Sequence, residues 1–335
     1  FLFPRYLGRV GALLAGFFFM ISPYMLFYGR YTRNESFVAL FGVLTIYAVL
    51  RYLEKGEHKM IYLLTTVTAL HYATKETSFI YSAILLIFLA IVFLNDLVHF
   101  RWPDGRKLTT FVVLMVSAIA LVGIAIGVGA YNAAAAKAAA TAGEAATGMS
   151  LMTLVDVVAV VLAFGMALAG IVVLVRSLGW RAIRALRSFD LLIISTTLIL
   201  PQLTAFPVKM IGTLTGANWD PLDYSQAGIV RTAIVLVAMV LIAGAIGLWW
   251  NWKTWLANAA VFYTIFVVLY TTFFTNGNGF FTGIVGALGY WLSQQGEFRG
   301  SQPWYYYLGL QVPMYEYLAL LGMLLGVYFA KKKKK

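Results

Sequence analysis

Long apolar stretches separated by short polar segments run through almost the whole chain. They are continuous, without the apolar–polar alternation of membrane β-strands, and many are about 20 residues long. A hydrocarbon layer of about 30 Å requires helices of this length, and only helices and closed barrels satisfy every backbone hydrogen bond in lipid. The pattern therefore predicts an all-α, polytopic transmembrane protein with about ten spans, at residues 8–28, 36–53, 60–73, 77–94, 108–130, 151–175, 189–208, 228–248, 255–274 and 312–330.

Composition and charge agree with this class and indicate its orientation. The chain has 335 residues, of which 61% are hydrophobic and 11% charged, and it contains no cysteine, which excludes disulfides and thiolate sites. The net charge of +12 is not a nucleic-acid signal, because only about seven basic residues lie outside when Arg5 and Arg9 are placed inside. This asymmetry predicts an integral membrane protein with both visible ends inside and no nucleic-acid partner.

The organisation that we expect is one transmembrane domain over residues 1–330, followed by a basic tail at 331–335. An Ala-rich segment at 131–148 is interpreted as an outside loop, with a surface helix as the alternative, and carries no chemistry. A second outside segment, 275–311, is apolar and Gly-rich, and we expect it to lie on the membrane surface. Because Phe1 enters almost directly into a span, we also expect an N-terminal part upstream of it.

Charged residues on the outside face form three groups, and the first follows a break in the first span. Pro23 predicts a kink that directs the segment GRYTRNES towards the outside interface. If the helix continues, Arg30 and Arg33 lie one turn apart and can present two guanidinium groups to one phosphate or carboxylate. The alternative is an interfacial anchor in which Glu35 only neutralises an arginine.

The second group is Lys75 and Glu76, at the end of an unusually short span. A helix from Lys59 to Lys75 is about 24 Å long at about 1.5 Å per residue, which is shorter than the hydrocarbon core of about 30 Å. Lys75 and Glu76 should therefore lie below the lipid surface, where an unpaired charge costs about 3 kcal/mol and a partner or a water-filled cavity is expected. The alternative is a local Lys75–Glu76 pair that only stabilises the hairpin.

The third group, in the Gly-rich outside segment, combines an acid–base pair with aromatic residues. Arg299, beside Glu297, is a candidate for an anionic head group. The neighbouring aromatic side chains favour the head-group zone by default, with a sugar or acceptor platform as the functional alternative. Gly279 and Gly283 permit close helix approach. The platform candidates are Trp291, Trp304, Tyr305 and Tyr306.

Metal binding has one weak candidate. Asp220 and Asp223 form a D-x-x-D pair in the outside sequence ANWDPLDYS and could bind Mg²⁺ or Mn²⁺ through oxygen, although an Asx-turn role is the commoner use of such residues. The three histidines are scattered, which disfavours a multi-histidine site. His71 alone lies within a span, where hydrogen bonding to a neighbouring helix is commoner than metal or pigment ligation.

Three segments in order resemble a known family. They are SPYMLFYGRYTRNESFVALFGVLTIYAVLRYLE, LHYATKETSFIY and YTTFFTNGNGFFTGIVGALGYWLSQQGEFRGSQPWYYY. Together they resemble the dolichyl-phosphate-mannose protein mannosyltransferase-like proteins of bacteria and archaea, including flippase-activity-associated members, within the GT-C superfamily of membrane glycosyltransferases. The resemblance covers most of residues 1–330 and is loose across 110–200.

The resemblance implies a GT-C-like fold and transfer of a sugar from a polyprenyl-phosphate donor to an acceptor on the non-cytoplasmic face of a bacterial or archaeal cytoplasmic membrane. In this family a carboxylate in the first outside loop usually serves the acceptor or a metal, and we expect that loop upstream of Phe1. The catalytic residue is therefore unidentified, with Glu35 and Glu76 as secondary candidates. The candidates for lipid-phosphate binding are Lys75 first, then Arg30, Arg33 and Arg299.

Two other classes of function compete with the enzyme. A non-catalytic subunit of a larger membrane complex, energy-converting or pigment-containing, would have partner membrane subunits besides lipid. A transporter would show broken helices at matching positions of two repeated halves, and no such repeat is present. The sequence therefore favours a glycosyltransferase, with the non-catalytic subunit as the alternative.

Overall fold

The computed structural model describes residues 2–30, 33–141, 151–215, 217, 219–294, 303 and 305–333. Most of these residues are helical, and no strand occurs among them, which confirms the all-α prediction. Three short segments depart from α-helix, a 3₁₀ turn at Leu200–Leu203 and π-helical turns at Thr282–Gly286 and Tyr306–Gln311. The α-helices are α1 Pro4–Ile21, α2 Pro23–Arg30, α3 Glu35–Lys55, α4 His58–Thr74, α5 Ser78–Val98, α6 Gly105–Thr141, α7 Leu151–Leu178, α8 Trp180–Arg184, α9 Arg187–Ile199, α10 Ala205–Thr215, α11 Gln226–Tyr270, α12 Asn278–Phe281, α13 Ala287–Gln294, α14 Val312–Tyr315 and α15 Tyr317–Lys333.

Helix length and composition support a polytopic membrane protein but not the predicted number of spans. Within the described ranges, five helices are long and apolar enough to cross a membrane, and there are up to eight spans if each bent pair counts as one. About ten spans are therefore not confirmed. Two features account for the lower number. The helix α4 has only 17 residues, and α11 combines two predicted spans in 45 residues across a non-helical break at Asn251.

The chain divides into two compact units, residues 1–89 with 191–335, and residues 90–190. In the first unit, α4 packs against both α3 and α11. The interface is filled by apolar side chains that are almost completely buried, such as Ile61, Leu64, Phe262 and Phe266. This packing holds α4, although short, inside the protein and so fixes the position of its C-terminal end.

A buried hydrogen bond joins α4 to α11 within this interface. Thr65 Oγ1 donates to Asn258 Oδ1 at 2.8 Å, and Asn258 Nδ2 donates to the carbonyl oxygen of Thr254 at 2.8 Å. Asn258 is completely buried and Thr65 is 2% exposed. In such surroundings the loss of one partner leaves the other without a hydrogen bond.

We expect Asn258→Leu to lower the free energy of unfolding by about 1–3 kcal/mol, because it leaves the Thr65 hydroxyl unsatisfied. Titration of the purified protein from mild detergent into SDS measures this loss. The double variant Thr65→Val/Asn258→Leu removes both polar groups and should recover part of the stability. Equal losses in the single and double variants would show that the hydrogen bond is not what Asn258 contributes.

The second unit is built on the helix pair α6 and α7. Its exposed basic residues lie around the start of α6 and from the end of α7 to the start of α9. Met115 on α6 packs closely against Gly170 on α7, where a Cβ would lie 3.0 Å from the Met115 sulfur. Ser188 Oγ donates to Asp96 Oδ2 at 2.5 Å, and the Trp180 and Phe189 rings meet edge to face at 5.4 Å. Seven basic side chains here are exposed, as inside loops require: Arg101, Arg106, Lys107, Arg176, Arg181, Arg184 and Arg187.

Pairs of helices joined at a bend of more than 40° occur at three places among the described residues. The helices α1 and α2 meet at 52° at Ser22, which confirms the kink expected from Pro23. A bend of 48° follows the 3₁₀ turn at Leu200–Leu203, which contains Pro201. The largest bend, 95°, separates Tyr306–Tyr315 from Tyr317–Tyr328 at Glu316. Each break frees backbone groups from the helical ladder, and in membrane proteins breaks are tolerated where they face protein or a cavity.

Two segments differ from their sequence-based description. Residues 131–141 continue α6 as helix, so that part of the Ala-rich segment is not a loop, while 142–150 lie outside the described residues. In the segment 275–311, residues Gly283–Gly286 and Leu288 are buried in the first unit, and the location of this segment on the membrane surface stays a prediction. The physical reason for the burial is the small size of its glycines, which lets this segment pack against the end of α11.

Candidate functional site

An ion pair between Lys75 and Glu35 is the centre of the candidate site. The Lys75 ammonium contacts Glu35 Oε1, and the two side chains are 32% and 19% exposed. The pair joins residues 40 positions apart, because α3 and α4 are antiparallel neighbours. Lys75 is therefore paired with Glu35 on a neighbouring helix. The alternative, a local pair between Lys75 and Glu76 that only stabilises the hairpin, is not what the structure shows.

The local sequence explains why Lys75 lies at this place. The helix α4 ends at Thr74, and Lys75 takes an extended conformation while α5 begins at Ser78, which confirms the tight hairpin. Asn34, which precedes α3, donates its side-chain amide to the carbonyl oxygen of Thr74 at 2.8 Å. Glu35 occupies the first turn of α3, where the helix dipole favours a negative charge.

Several buried polar atoms around the hairpin have no hydrogen-bond partner in the described part of the chain. They are Glu35 Oε2, His71 Nε2, Thr77 Oγ1 and Ser78 Oγ. His71 is 4% exposed, and its ring lies near those of Phe41 and Tyr81, at 6.1 and 4.7 Å between centroids. Buried polar groups are rarely left unsatisfied, and an exception calls for a specific explanation such as a bound ligand.

The C-terminal end of α11 supports the hairpin from a second side. Tyr270 donates its hydroxyl to the carbonyl oxygen of Tyr72 at 2.7 Å, and its hydroxyl is close enough to Glu76 to sense that charge. Two glycines make room for Tyr270. A Cβ at Gly279 would overlap the Tyr270 carbonyl oxygen, and a Cβ at Gly283 would overlap its ring. The sequence had indicated close approach at both glycines, and the structure shows what approaches them.

The other residues expected at the lipid-phosphate site differ in position. Arg33 is exposed but near enough to Glu35 for its charge to act on that carboxylate. Arg30 is the last residue of α2 and forms no ion pair within the described residues, and Arg33 lies outside any described helix, so the two are not successive turns of one helix. Glu76 is exposed. Arg299 lies outside the described residues.

The expected aromatic platform is only partly described. Trp291 is half-buried on α13, and Tyr305 and Tyr306 lie at the start of the π-helical turn, where Tyr305 is 48% exposed. Trp304 lies outside the described residues. The role of this group as a platform stays a prediction.

Asp220 and Asp223 shape the loop before α11. Asp220 Oδ1 accepts from the amide of Leu222 at 2.9 Å, and Asp223 Oδ1 accepts from the amide of Ser225 at 3.0 Å. The Ser225 hydroxyl and amide hydrogen bonds hold the pKa of Asp223 below its usual value. Both residues therefore make Asx turns, and in the described part of the chain no group of three or more His, Cys, Asp or Glu residues is placed to hold a metal ion.

A separate network of charges lies at the other ends of α3 and α4. Glu54 pairs with Arg5 and with Arg51, the latter at 3.3 Å, and Glu57 pairs with Lys59 at 2.9 Å. The Lys59 ammonium is the main cause of a lowered pKa at the Glu57 carboxyl. Since α3 is about 31 Å long, this network and the Lys75–Glu35 pair lie about one membrane thickness apart.

The sequence-based search missed one carboxylate, Glu316. Ser22 Oγ donates to Glu316 Oε1 at 2.5 Å, so the breaks of two helices meet here. The residue follows Pro313 in the last predicted span, and a carboxylate within a span is by default a functional candidate. That signal was present in the sequence.

Taken together, apolar helices of membrane-spanning length define an integral membrane protein, and the Lys75–Glu35 pair forms a charged site at the ends of two of its helices. Residues 1–126 match the family model described as dolichyl-phosphate-mannose-protein mannosyltransferase. This match supports the resemblance over that part of the chain, which includes Glu35 and Lys75. No curated protein and no solved structure matches the chain.

Proposed function

We propose that the protein transfers a sugar from a polyprenyl-phosphate donor to an acceptor at the non-cytoplasmic face of a bacterial or archaeal cytoplasmic membrane. The observation that carries this proposal is the Lys75–Glu35 pair, which lies at a hairpin below the expected lipid surface, among buried polar atoms without partners. The family match over the same residues supports it.

The arrangement suits a lipid-phosphate leaving group. When the bond between the sugar and the phosphate breaks, negative charge develops on the phosphate, and a fixed cation in a water-poor site stabilises that charge strongly. Glu35 holds the Lys75 ammonium in one position, and the nearby Arg33 keeps the local charge positive. Lys75 is therefore our principal phosphate-binding residue, with Arg33 second, and Arg30 and Arg299 remain further candidates.

A divalent cation, Mg²⁺ or Mn²⁺, stays a prediction. Mg²⁺ commonly binds through one or two carboxylates together with phosphate oxygens and water. Asp220 and Asp223 each engage one oxygen in a turn, so a cation there would take most of its ligands from the substrate and solvent. The catalytic base is unassigned, and Glu35 and Glu76 are secondary candidates for it.

The test is the release of polyprenyl phosphate from a polyprenyl-phosphate sugar by the purified full protein in liposomes. We expect release that depends on both protein and acceptor, measured by chromatography of the extracted lipids. A protein that releases none and retains a stoichiometric membrane partner through detergent extraction would instead be the non-catalytic subunit.

A further inference from the structure

A cavity of about 790 Å³ lies between the first and the last broken helices of the first unit. Ala15 to Met25 supply one wall, and Tyr307 together with residues from Gln311 to Gly322 supplies the other. Its volume is in the range of sites for small ligands. Phe19 and Tyr317, both about half exposed, line the cavity and also belong to the outer surface of the chain. The cavity is therefore accessible from the side, where lipid surrounds the helices.

Glu316 is the one acidic residue of this lining. Its Oε1 accepts from Ser22, and in the described part of the chain it forms no ion pair. At a rise of about 1.5 Å per residue, Glu316 lies about 22 Å along α15 from Lys331, and so within a hydrocarbon layer of about 30 Å. A carboxylate placed at this depth among aromatic side chains is costly without hydrogen-bond donors. We therefore expect Glu316 to accept a further hydrogen bond from a molecule in the membrane.

Tyr24 connects the cavity with the Lys75–Glu35 pair. It lines the cavity, its ring lies 4.5 Å from that of Tyr28, and its hydroxyl senses the charge of Glu35. Tyr24 is thus a neighbour both of the cavity and of the part of the chain that carries the phosphate-binding candidates.

We propose that this cavity binds a membrane-embedded amphiphile whose head group donates a hydrogen bond to Glu316, and that this amphiphile is the sugar acceptor. The role of the amphiphile as sugar acceptor rests on the proposed function. The binding site itself is inferred only from the cavity and from Glu316. A hydroxyl and an amine share the required chemistry, since both donate to a carboxylate oxygen and both can accept a sugar. An acceptor that enters from water would need no lateral opening of this kind.

The experiment uses the full protein in phosphatidylcholine nanodiscs, whose lipid has no hydrogen-bond donor. Three probes carry a diazirine on a 16-carbon chain and end in an alcohol, a primary amine or a methyl ether. After irradiation, peptide mass spectrometry locates the label. We expect the alcohol or the amine to label the cavity peptides at least about fivefold more than the ether, and the stronger of the two identifies the head-group source. Equal labelling by all three would overturn the proposal.

Variants at two positions test the site. Glu316→Leu should reduce the alcohol and amine signals to the ether level, and Glu316→Met, which keeps the approximate length of the side chain without a strong hydrogen-bond acceptor, serves if the leucine variant does not fold. Gly322→Leu leaves Glu316 in place but puts a larger side chain into the cavity, because Gly322 lines it and a Cβ there meets nothing within 4 Å. This variant should lower labelling by all three probes. Unchanged labelling in both the glutamate and the glycine variants contradicts the site.

Failure of this inference can be separated from failure of the proposed function. Lys75→Gln should leave labelling unchanged. The labelling could depend on Glu316 in a protein that releases no polyprenyl phosphate. This result would support the lipid-binding site and refute the acceptor role. Release that delivers sugar to a hydrophilic peptide, unaffected by the alcohol probe, would refute it as well.

Discussion

Replacing Lys75 by Gln is expected to lower the release of polyprenyl phosphate by about 100-fold, the usual effect of removing one preorganised group from a site of developing charge. The side chain keeps its approximate length but loses the charge that faces the leaving phosphate. Release by the full protein in liposomes measures the effect at saturating donor. Lys75→Arg should retain part of the activity, because a guanidinium also binds phosphate.

The control for this prediction is Lys107→Gln, an exposed lysine near the start of α6, which should leave release unchanged. A structural role is distinguished by a second comparison. Lys75→Gln leaves Glu35 half-buried without its partner, whereas the double variant Glu35→Gln/Lys75→Gln removes both charges and should unfold at nearly the wild-type SDS concentration. Recovery of activity in the double variant would show that Lys75 acts only through folding.

Replacing Gly279 by Ala should lower the free energy of unfolding by about 3 kcal/mol, at the upper end of the usual overpacking cost. The added Cβ would overlap the backbone oxygen of Tyr270 and lie 2.8 Å from its carbonyl carbon. Backbone cannot rotate away as a side-chain tip can, so the end of α11 or the start of α12 must move. SDS titration of the purified variant measures the loss.

Gly326→Ala on α15 is the matched control. A Cβ there meets nothing within 4 Å, and alanine is a better helix former than glycine, so stability should be unchanged or slightly higher. Movement of Tyr270 also disturbs its hydrogen bond to Tyr72, next to Lys75. Gly279→Ala should therefore reduce polyprenyl-phosphate release together with stability, and equal stability of the two alanine variants would contradict the close contact.

Much of the fold could be predicted because its signals are local. Continuous apolar runs gave the all-α membrane class, Pro23 marked the first break, and the short distance from Lys59 to Lys75 located the hairpin. The number of spans was less accessible. The helix α4 is too short to meet a length criterion, and α11 joins two predicted spans, with its break at Asn251 in the gap predicted between them.

The candidate site was predictable only in part. Lys75 was selected because its charge lay too deep to be unpaired, and the structure supplies the partner, Glu35, from the neighbouring helix. Glu316 escaped attention because it falls in a predicted span remote from the charged groups, although its depth alone was a signal. The predicted pairing of Arg30 with Arg33 one turn later required a helix that includes both residues, and Arg33 lies outside any described helix.

The sequence by itself determined the membrane-spanning class, and it predicted the orientation of the basic loops and the depth of Lys75, since these follow from residue types and rise per residue along one helix. Tertiary structure alone decided that Lys75 meets Glu35, that Ser22 meets Glu316 and that Tyr270 fits against Gly279 and Gly283. The physical reason is that each contact joins residues from different helices. Which faces of those helices meet depends on the fit of many side chains at once, and no local pattern specifies it.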